Sequence, residues 1–268
     1  MELEGRNVVI TGASRGLGRH IARALAAEKA HLVLAARSAG ELEATAIDAR
    51  AAGAEVRIVP TDVARRADLE NLVAAAGEVD VLVNNAGIET PWEFHRIPLE
   101  EMERMLHVNL VSAMTLARFL LPGMLERQRG HIVNMASVAG KAGPPLSETY
   151  AVTKAGLIGF TQSLRASYYG TGVSASAICP GFITEAGMFA DRAARDGVTP
   201  PRLLGSSTPE NVARAVVRAI RRDLPEVLVT PGPARLMAAT SQLFPRLPGW
   251  IIRRTHLREM YRRSMPNA

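Results

Sequence analysis

The chain has 268 residues, 47% of them hydrophobic, which suffices for one large domain with a substantial core. Basic and acidic residues balance over residues 1–230. The formal net charge of +6 comes from residues 231–268, so we expect no nucleic-acid partner for the body of the chain. A signal peptide, a long apolar membrane span, an internal disulfide and metal-ligand spacing are all missing from the sequence, which predicts a cytoplasmic protein with no metal site.

Short apolar runs alternate with helical patterns over the first 230 residues. The predicted strands are Val8–Ile10, His31–Ala36, Val56–Val59, Val79–Val83, His131–Met135, Val173–Ile178 and Val227–Val229. The first predicted helix follows the first strand and ends near residue 28. The other predicted helices cover 38–52, 67–76, 99–128, 150–168 and 209–222. Strands of this kind, joined through helices, predict an α/β protein with a three-layer, doubly wound parallel sheet, the Rossmann fold. We assign 1–230 to a single dinucleotide-binding and catalytic domain, and 231–268 to a C-terminal helical extension of it.

A glycine-rich turn, Thr11–Gly18, follows the first strand with the spacing G-x-x-x-G-x-G. Glycines allow a tight turn and close approach of a pyrophosphate, and the helix N-terminus that follows offers N–H groups and positive dipole. An ordinary tight turn is the alternative. The predicted cofactor-binding residues of this turn are Gly12, Ser14, Arg15, Gly16, Leu17 and Gly18.

The second strand is followed by a basic residue, Arg37. A cofactor without a ribose 2′-phosphate usually meets an acidic side chain near this place. Arg15 and Arg37 together would clasp a 2′-phosphate, which predicts that NADP(H) is preferred over NAD(H). The alternative is that both arginines are solvated surface residues.

Residue types suited to ligand binding recur where the predicted strands end. Gly12, Asp62, Asn84, Ser137 and Pro180 all stand at such ends. Ligands of doubly wound sheets bind beyond the carboxyl ends of the strands, so we expect these residues to form one site.

Tyr150 and Lys154 are four residues apart in a predicted helix and therefore share one face. The lysine ammonium would lower the pKa of the phenol, which is normally about 10. This pairing would make Tyr150 a general acid and base for an alcohol or carbonyl oxygen. Taken alone, a tyrosine and a lysine at this spacing are more often simple surface neighbours than a catalytic pair.

The ordered set of motifs resembles the classical short-chain dehydrogenase/reductase family over roughly residues 5–230. The matching residues are Thr11–Gly18, Asp62, Asn84–Gly87, Asn109, Ser137, Tyr150-x-x-x-Lys154 and Pro180-Gly181. The resemblance implies an NAD(P)-dependent oxidoreductase acting on CH–OH donors. It makes Tyr150 the acid/base and Lys154 the residue that lowers its pKa and holds the nicotinamide ribose. It implies that Ser137 hydrogen-bonds the substrate oxygen and that Asn109 holds a water molecule in a proton relay.

The resemblance extends the cofactor site and also shows one departure from the family. The further cofactor residues it implies are Asp62, Val63, Asn84, Ala86, Gly87, Pro180, Gly181 and the backbone of Ile183. The family usually continues Pro-Gly-x-x-x-Thr, whereas here the last place is Glu185. Thr184, one place earlier, or a backbone group would have to take over the missing hydroxyl.

Apolar side chains follow several predicted strand ends and indicate an apolar substrate, such as an acyl, steroid-like or retinoid-like compound. The predicted substrate residues are Trp92, Leu146, Phe182, Met188 and Phe189, the last two in a predicted mobile lid. The alternative is that these side chains pack against one another.

The C-terminal extension carries seven arginines and one glutamate. Leu236, Met237, Leu243 and Phe244 suit one short helix, the segment 245–249 interrupts, and 250–263 is basic and partly amphipathic. Three interpretations remain open: packing on the body or a second subunit, where the extension would roof the substrate site; contact with an anionic membrane surface; and a disordered end.

We therefore predict an NADP(H)-dependent oxidoreductase that interconverts a ketone and a secondary alcohol. A 3-oxoacyl-thioester reductase is one possibility within the class. A catalytically silent nucleotide-sensing or scaffold protein of the same fold is the alternative outside it. By family analogy we expect a homodimer or homotetramer assembled through the helices that contain Asn109 and Tyr150.

Overall fold

The computed structural model describes residues 1–241, 243–244 and 246–266. The strands are β1 (Asn7–Thr11), β2 (His31–Ala36), β3 (Val56–Pro60), β4 (Val81–Asn84), β5 (Gly130–Met135), β6 (Val173–Pro180) and β7 (Glu226–Val229). The helices are α1 (Gly16–Ala27), α2 (Ala39–Ala51), α3 (Arg66–Ala76), α4 (Leu99–Leu106), α5 (Ser112–Glu126), α6 (Glu148–Ser167), α7 (Met188–Asp196), α8 (Pro209–Arg222), α9 (Gly232–Thr240), α10 (Arg246–Arg254) and α11 (Leu257–Arg263).

The described strands form one parallel sheet in the order β3-β2-β1-β4-β5-β6-β7. The chain moves outward from β1 to β3 and then returns to the centre, where β4 pairs with the other edge of β1. The predicted doubly wound Rossmann fold is thereby confirmed. The reversal between β1 and β4 leaves a crevice at the carboxyl ends of these strands, which is where such sheets bind ligands.

The central strands are buried on both faces because successive side chains point to opposite sides. Val8 and Ile10 of β1 pack in the layer formed by α1, α2 and α8. Val9, between them, packs in the opposite layer with side chains of α3, α5 and α6. A continuous apolar run in the sequence thus serves two cores and produces the three-layer arrangement.

The region from Leu99 to Glu126 is one continuous helical segment in which a π-helical turn, His107–Val111, joins α4 to α5. By length and composition alone this segment is apolar enough to cross a membrane, unlike our expectation from the sequence. That is weak support for a span, since the core helix of a sheet protein passes the same test. Here Leu116 and Met124 of α5 are buried against the sheet.

The C-terminal extension is helical and partly packed on the body. The predicted interruption at 245–249 is wrong for 246–249, since α10 begins at Arg246, while Pro245 lies outside the described residues. The short helix expected around 236–244 ends at Thr240. In α11, Leu257, Met260 and Tyr261 are buried with Leu204, so this helix covers the body of the protein.

Candidate active site

A cleft of about 1040 Å³ lies at the carboxyl ends of the strands. Side chains or backbone from the ends of all seven described strands reach it, as the strand-end argument expects. The lining residues that follow β1 to β7 are, in order, Gly12, Arg37, Asp62, Asn85, Ser137, Gly181 and Thr230. One site therefore collects residues that are far apart in sequence.

The glycine turn after β1 is held against the end of β4. Gly12 has a φ of +64°, and a Cβ there would lie 2.8 Å from the Cα of Ala86, so a larger residue would collide with backbone. The Oγ1 of Thr11 accepts hydrogen bonds from the backbone N–H groups of Asn85 and Ala86, both at 3.1 Å. Ser14, Arg15, Gly16 and Leu17 line the cleft, as predicted.

Gly18 does not line the cleft, contrary to the prediction. It is buried in α1, and a Cβ at this position would lie 2.1 Å from the carbonyl oxygen of Gly12. Its role is to let the first turn of α1 pack closely under the glycine turn. The family pattern suggested Gly18 because packing and ligand-binding glycines are indistinguishable by spacing.

Both arginines chosen for a 2′-phosphate line the same cleft. Arg37 is exposed at the end of β2. Arg15 donates to the carboxylate of Asp191 in α7 at 2.7 Å, and both side chains are largely exposed. Glu41 of α2 also lines the cleft, whereas the place directly after β2 holds the basic residue Arg37.

Asn84 is turned away from the cleft, so its assignment to the cofactor is wrong. Its Nδ2 donates to the Oδ1 of Asn134 at 2.9 Å inside the sheet layer. The cleft residue is its neighbour Asn85, whose Nδ2 donates to the carbonyl oxygens of Thr11 and Gly12 at 3.0 Å each. Strand alternation is the signal that separates the two asparagines, because adjacent side chains point to opposite faces.

Asp62, Val63, Ala86 and Gly87 all line the cleft. The Oδ1 of Asp62 accepts a hydrogen bond from the backbone N–H of Ala64 at 3.0 Å, so this carboxylate also shapes the turn after β3. Asp62 therefore both lines the cleft and shapes this turn.

Tyr150 and Lys154 are buried in the first turns of α6, and both line the cleft. The Nζ of Lys154 donates to the carbonyl oxygen of Met135 at 2.7 Å, at the end of β5. It lies 5.5 Å from the centre of the Tyr150 ring. The helical spacing therefore brings the two side chains together, as predicted.

The expected lowering of the tyrosine pKa is not found. Burial raises the pKa of Tyr150, and the negative charge of Glu89 raises it further, while a hydrogen bond with Ser137 lowers it. Burial lowers the pKa of Lys154 to about 8, against the opposing charge of Glu89. The prediction was wrong because it counted the charge of the ammonium and neglected desolvation of both groups.

Ser137 follows β5 and lines the cleft. Its Oγ donates to the carbonyl oxygen of Pro180 at 3.3 Å and accepts from the N–H of Ala139 at 3.1 Å. The hydroxyl thus sits between the ends of β5 and β6, on the same side as Tyr150.

Asn109 lies in the π-helical turn and is buried with specific partners. Its Oδ1 accepts from the backbone N–H of Ile88 at 2.8 Å, and its Nδ2 donates to the Ile88 carbonyl at 2.8 Å and to Thr153 Oγ1 at 3.2 Å. The side chain therefore ties the loop after β4 to α6 and does not line the cleft. Its role in a water relay stays a prediction.

The segment after β6 contributes Pro180, Gly181, Phe182 and Ile183 to the cleft. Thr184 and Glu185 are exposed and do not line it, so Thr184 does not replace the missing family threonine. Thr230, after β7, does reach the cleft, and a Cβ on Gly181 would lie 2.7 Å from its Oγ1. The strand-end rule would have found this residue.

Two of the predicted substrate residues lie elsewhere. Phe182, Met188 and Phe189 line the main cleft, but Trp92 and Leu146 line a separate small cavity behind Tyr150. The backbone N–H of Trp92 donates to the Leu146 carbonyl at 2.9 Å. Leu146 packs in the cluster that also includes Phe182 and Phe189, which agrees with the packing alternative for that residue.

The far side of the cleft contains a buried ion pair that the sequence did not indicate. The Nη2 of Arg192, in α7, donates to the Oε2 of Glu89 at 2.5 Å, and their side chains are 4% and 9% exposed. The guanidinium of Arg192 lies 5.0 Å from the centre of the Tyr261 ring in α11. The extension thus contributes to the cleft. Its lining residues there are Ile251, Ile252, Leu257 and Tyr261.

A doubly wound sheet with a glycine turn, a Tyr–Lys pair and a serine in one cleft defines a class of dinucleotide-dependent oxidoreductases. Residues 6–196 match the short chain dehydrogenase family, and the chain belongs to that family. It is 44% identical over 252 residues to the ketoacyl reductase HetN of Nostoc sp. (strain PCC 7120), covering 91% of this chain and 86% of the relative.

The 3-oxoacyl-[acyl-carrier-protein] reductase FabG of Escherichia coli (strain K12) is 38% identical over 184 residues, 68% of this chain and 75% of its own. The crystal structure of the F189W actinorhodin polyketide ketoreductase with NADPH superposes with a TM-score of 0.78. Its sequence is 31% identical, and the match covers 86% of this chain and 97% of that one. These similarities agree with the oxidoreductase class that the cleft defines.

Proposed function

We propose that this protein uses NADPH to reduce the ketone of a largely apolar molecule to a secondary alcohol, with Tyr150 as the proton donor. The observation that carries the proposal is that Ser137, Tyr150 and Lys154 line the same cleft as the glycine turn. The names of the relatives support it, since they describe a ketoacyl reductase, a 3-oxoacyl reductase and a polyketide ketoreductase.

The residues of the cleft fit a nicotinamide dinucleotide with a 2′-phosphate. Gly12 and Gly16 have positive φ values, and the space beside Gly12 is closed to any side chain, which suits a backbone that approaches a pyrophosphate. Arg15 and Arg37 would hold the 2′-phosphate. The exposed Arg15–Asp191 pair is weakly stabilising, so a phosphate can displace it. When bound, NADPH supplies the hydride.

The proton comes from Tyr150. Because burial raises its pKa, the phenol stays protonated at neutral pH and donates to the oxygen of the ketone. Ser137 donates to the same oxygen after giving up its bond to the Pro180 carbonyl, and so stabilises the developing negative charge. Lys154, whose pKa is about 8, is mostly an ammonium at neutral pH and holds the ribose hydroxyls.

An apolar substrate follows from the walls beyond these groups. The rings of Phe182 and Phe189 are 4.8 Å apart between centroids and form one wall. Ile252 and Leu257 of the extension form another. A wall of this kind favours an acyl chain or a comparable hydrocarbon over a sugar.

A catalytically silent nucleotide-sensing or scaffold protein is the alternative. Such a protein would have no need to bury a lysine beside a tyrosine, at a cost in desolvation, in the cleft itself. The arrangement of Tyr150 and Lys154 therefore favours an enzyme.

The first experiment measures binding of NADPH and NADH by fluorescence, and then NADPH oxidation with a panel of apolar ketones. Tyr150→Phe should lower the rate by at least about 100-fold and still bind NADPH, because the hydroxyl acts only in proton transfer. Tyr169→Phe is the matched control, since that tyrosine is 92% exposed. A Tyr150→Phe variant with the wild-type rate would refute the mechanism, and failure to bind either nucleotide would favour the scaffold alternative.

A further inference from the structure

The buried pair of Arg192 and Glu89 has no part in the mechanism above, yet both residues line the cleft that contains Tyr150. Their side chains are 4% and 9% exposed, and the Nη2–Oε2 distance is 2.5 Å. Burying two charges requires good geometry and further hydrogen bonds to offset the loss of water. Such a pair beside reacting groups is costly for stability alone, which suggests a use in binding.

The guanidinium is held by two side chains, one of which is itself held by a third. Glu89 accepts from it, and the other carboxylate oxygen, Oε1, accepts from the Oγ of Ser147 at 3.0 Å. The centre of the Tyr261 ring, in the extension, lies 5.0 Å from the guanidinium carbon of Arg192. The position of Arg192 is therefore fixed before any substrate arrives, and the C-terminal extension helps to fix it.

Arg192 retains donors for a ligand. A guanidinium has several N–H groups in a rigid fork. Within the described part of the chain, Arg192 donates to Glu89 and contacts the face of the Tyr261 ring. The pair as a whole carries no net charge. It can therefore donate hydrogen bonds to an uncharged oxygen, whereas a free carboxylate would meet the negative charge of Glu89 as well.

We infer that Arg192 is a substrate-binding residue that donates to a second carbonyl oxygen, that of an ester or thioester next to the reacting ketone. A 3-oxo ester or thioester places this oxygen within a few bonds of the ketone held by Ser137 and Tyr150. Its hydrocarbon part would lie between the two apolar walls, which contain Phe189 and Leu257 respectively. This inference rests on the proposed reductase activity and names the class of substrate for it.

The test compares ethyl 3-oxobutanoate and the N-acetylcysteamine thioester of 3-oxobutanoate with 2-hexanone, which has a ketone but no second carbonyl. The ratio of kcat/KM for each 3-oxo compound to kcat/KM for 2-hexanone is measured with NADPH. Arg192→Met should lower that ratio by about 10- to 100-fold, the effect expected when a charge-assisted hydrogen bond is lost. Free 3-oxobutanoate should be a poorer substrate of the wild-type enzyme than its ethyl ester.

Two further variants keep the result interpretable. Arg192→Met leaves Glu89 as a lone buried charge and can impair folding, so Glu89→Gln/Arg192→Met removes both charges. It should show the same fall in ratio. Arg195→Met is the control, since Arg195 is an exposed arginine of the same helix, paired with Asp196, and its ratio should equal that of the wild type.

The outcomes separate the inference from the activity on which it rests. If wild-type protein reduces both kinds of ketone and the double variant keeps the wild-type ratio, Arg192 is structural and the inference is wrong, while the proposed function stands. A wild-type preference for free 3-oxobutanoate over its ester would overturn the argument about the neutral pair. If the wild type reduces no ketone with NADPH, the proposed function and the inference both fail.

Discussion

Replacing Lys154 with methionine should stabilise the protein at neutral pH while it removes activity. Lys154 is 3% exposed, and burial lowers its pKa from 10.5 to about 8. Methionine fills nearly the same volume without a charge. At pH 7 the wild-type protein must hold an ammonium in a place that disfavours it, and the variant is free of that cost.

The magnitude follows from the two pKa values. A difference of about 2.5 pH units corresponds to about 3 kcal/mol, since each unit is about 1.4 kcal/mol. Against this, the variant loses the hydrogen bond from Nζ to the Met135 carbonyl, which contributes about 1 kcal/mol. We expect Lys154→Met to raise the free energy of unfolding by about 2 kcal/mol at pH 7.

The sign of the pH dependence is also fixed. The folded protein releases the Lys154 proton at about pH 8 and the unfolded chain at 10.5. Between these values the unfolded state binds more protons, so the stability of the wild type rises with pH through this window. The variant has no such rise, and its advantage should shrink by about 2 kcal/mol between pH 7 and about pH 9.5.

Urea unfolding of both proteins, followed by circular dichroism at the two pH values, measures this difference. Lys29→Met is the control, because Lys29 is an exposed lysine paired with Glu4. A Lys154→Met variant that is less stable than the wild type at pH 7 would refute the reasoning. A stability difference that is the same at both pH values would refute it as well.

Three other predictions concern the cofactor, assembly and the extension. Arg37→Ala should weaken NADPH binding about 10-fold or more without changing NADH binding, as measured by fluorescence titration, and an equal loss for both would remove the 2′-phosphate role. Val152→Arg should convert the expected homo-oligomer to monomers in analytical ultracentrifugation, because Val152 and Met114 are exposed apolar residues of α6 and α5. A monomeric wild-type protein would contradict the expected assembly through these helices. If the extension contacts anionic membranes, Leu243→Ser/Phe244→Ser should reduce co-sedimentation with anionic liposomes, since these side chains are 75% and 60% exposed. A wild-type protein that does not bind the liposomes at low salt would exclude this contact.

The sheet was predictable because its signals are local. An apolar run such as Val8–Ile10 specifies a buried strand, and the glycine turn after it specifies the crossing to α1. The strand-end rule then brought Asp62 and Ser137 to one cleft without knowledge of any contact. The same rule selected Asn84, whereas Asn85 is the residue that faces the cleft. Strand β4 ends one residue later than expected, and a shift of one residue reverses which side chain points to a given face.

The cofactor half of the cleft and the substrate half differ in how the chain builds them. The first is made by turns directly after β1 to β4, so short motifs describe it. The second depends on contacts such as Glu89 with Arg192, which are 103 residues apart, and Arg192 with Tyr261 in the extension. No local pattern encodes these pairings, since they exist only once α7 and α11 have packed over the sheet. Family membership therefore indicates an oxidoreductase, while this part of the cleft is built by contacts that a motif search does not detect.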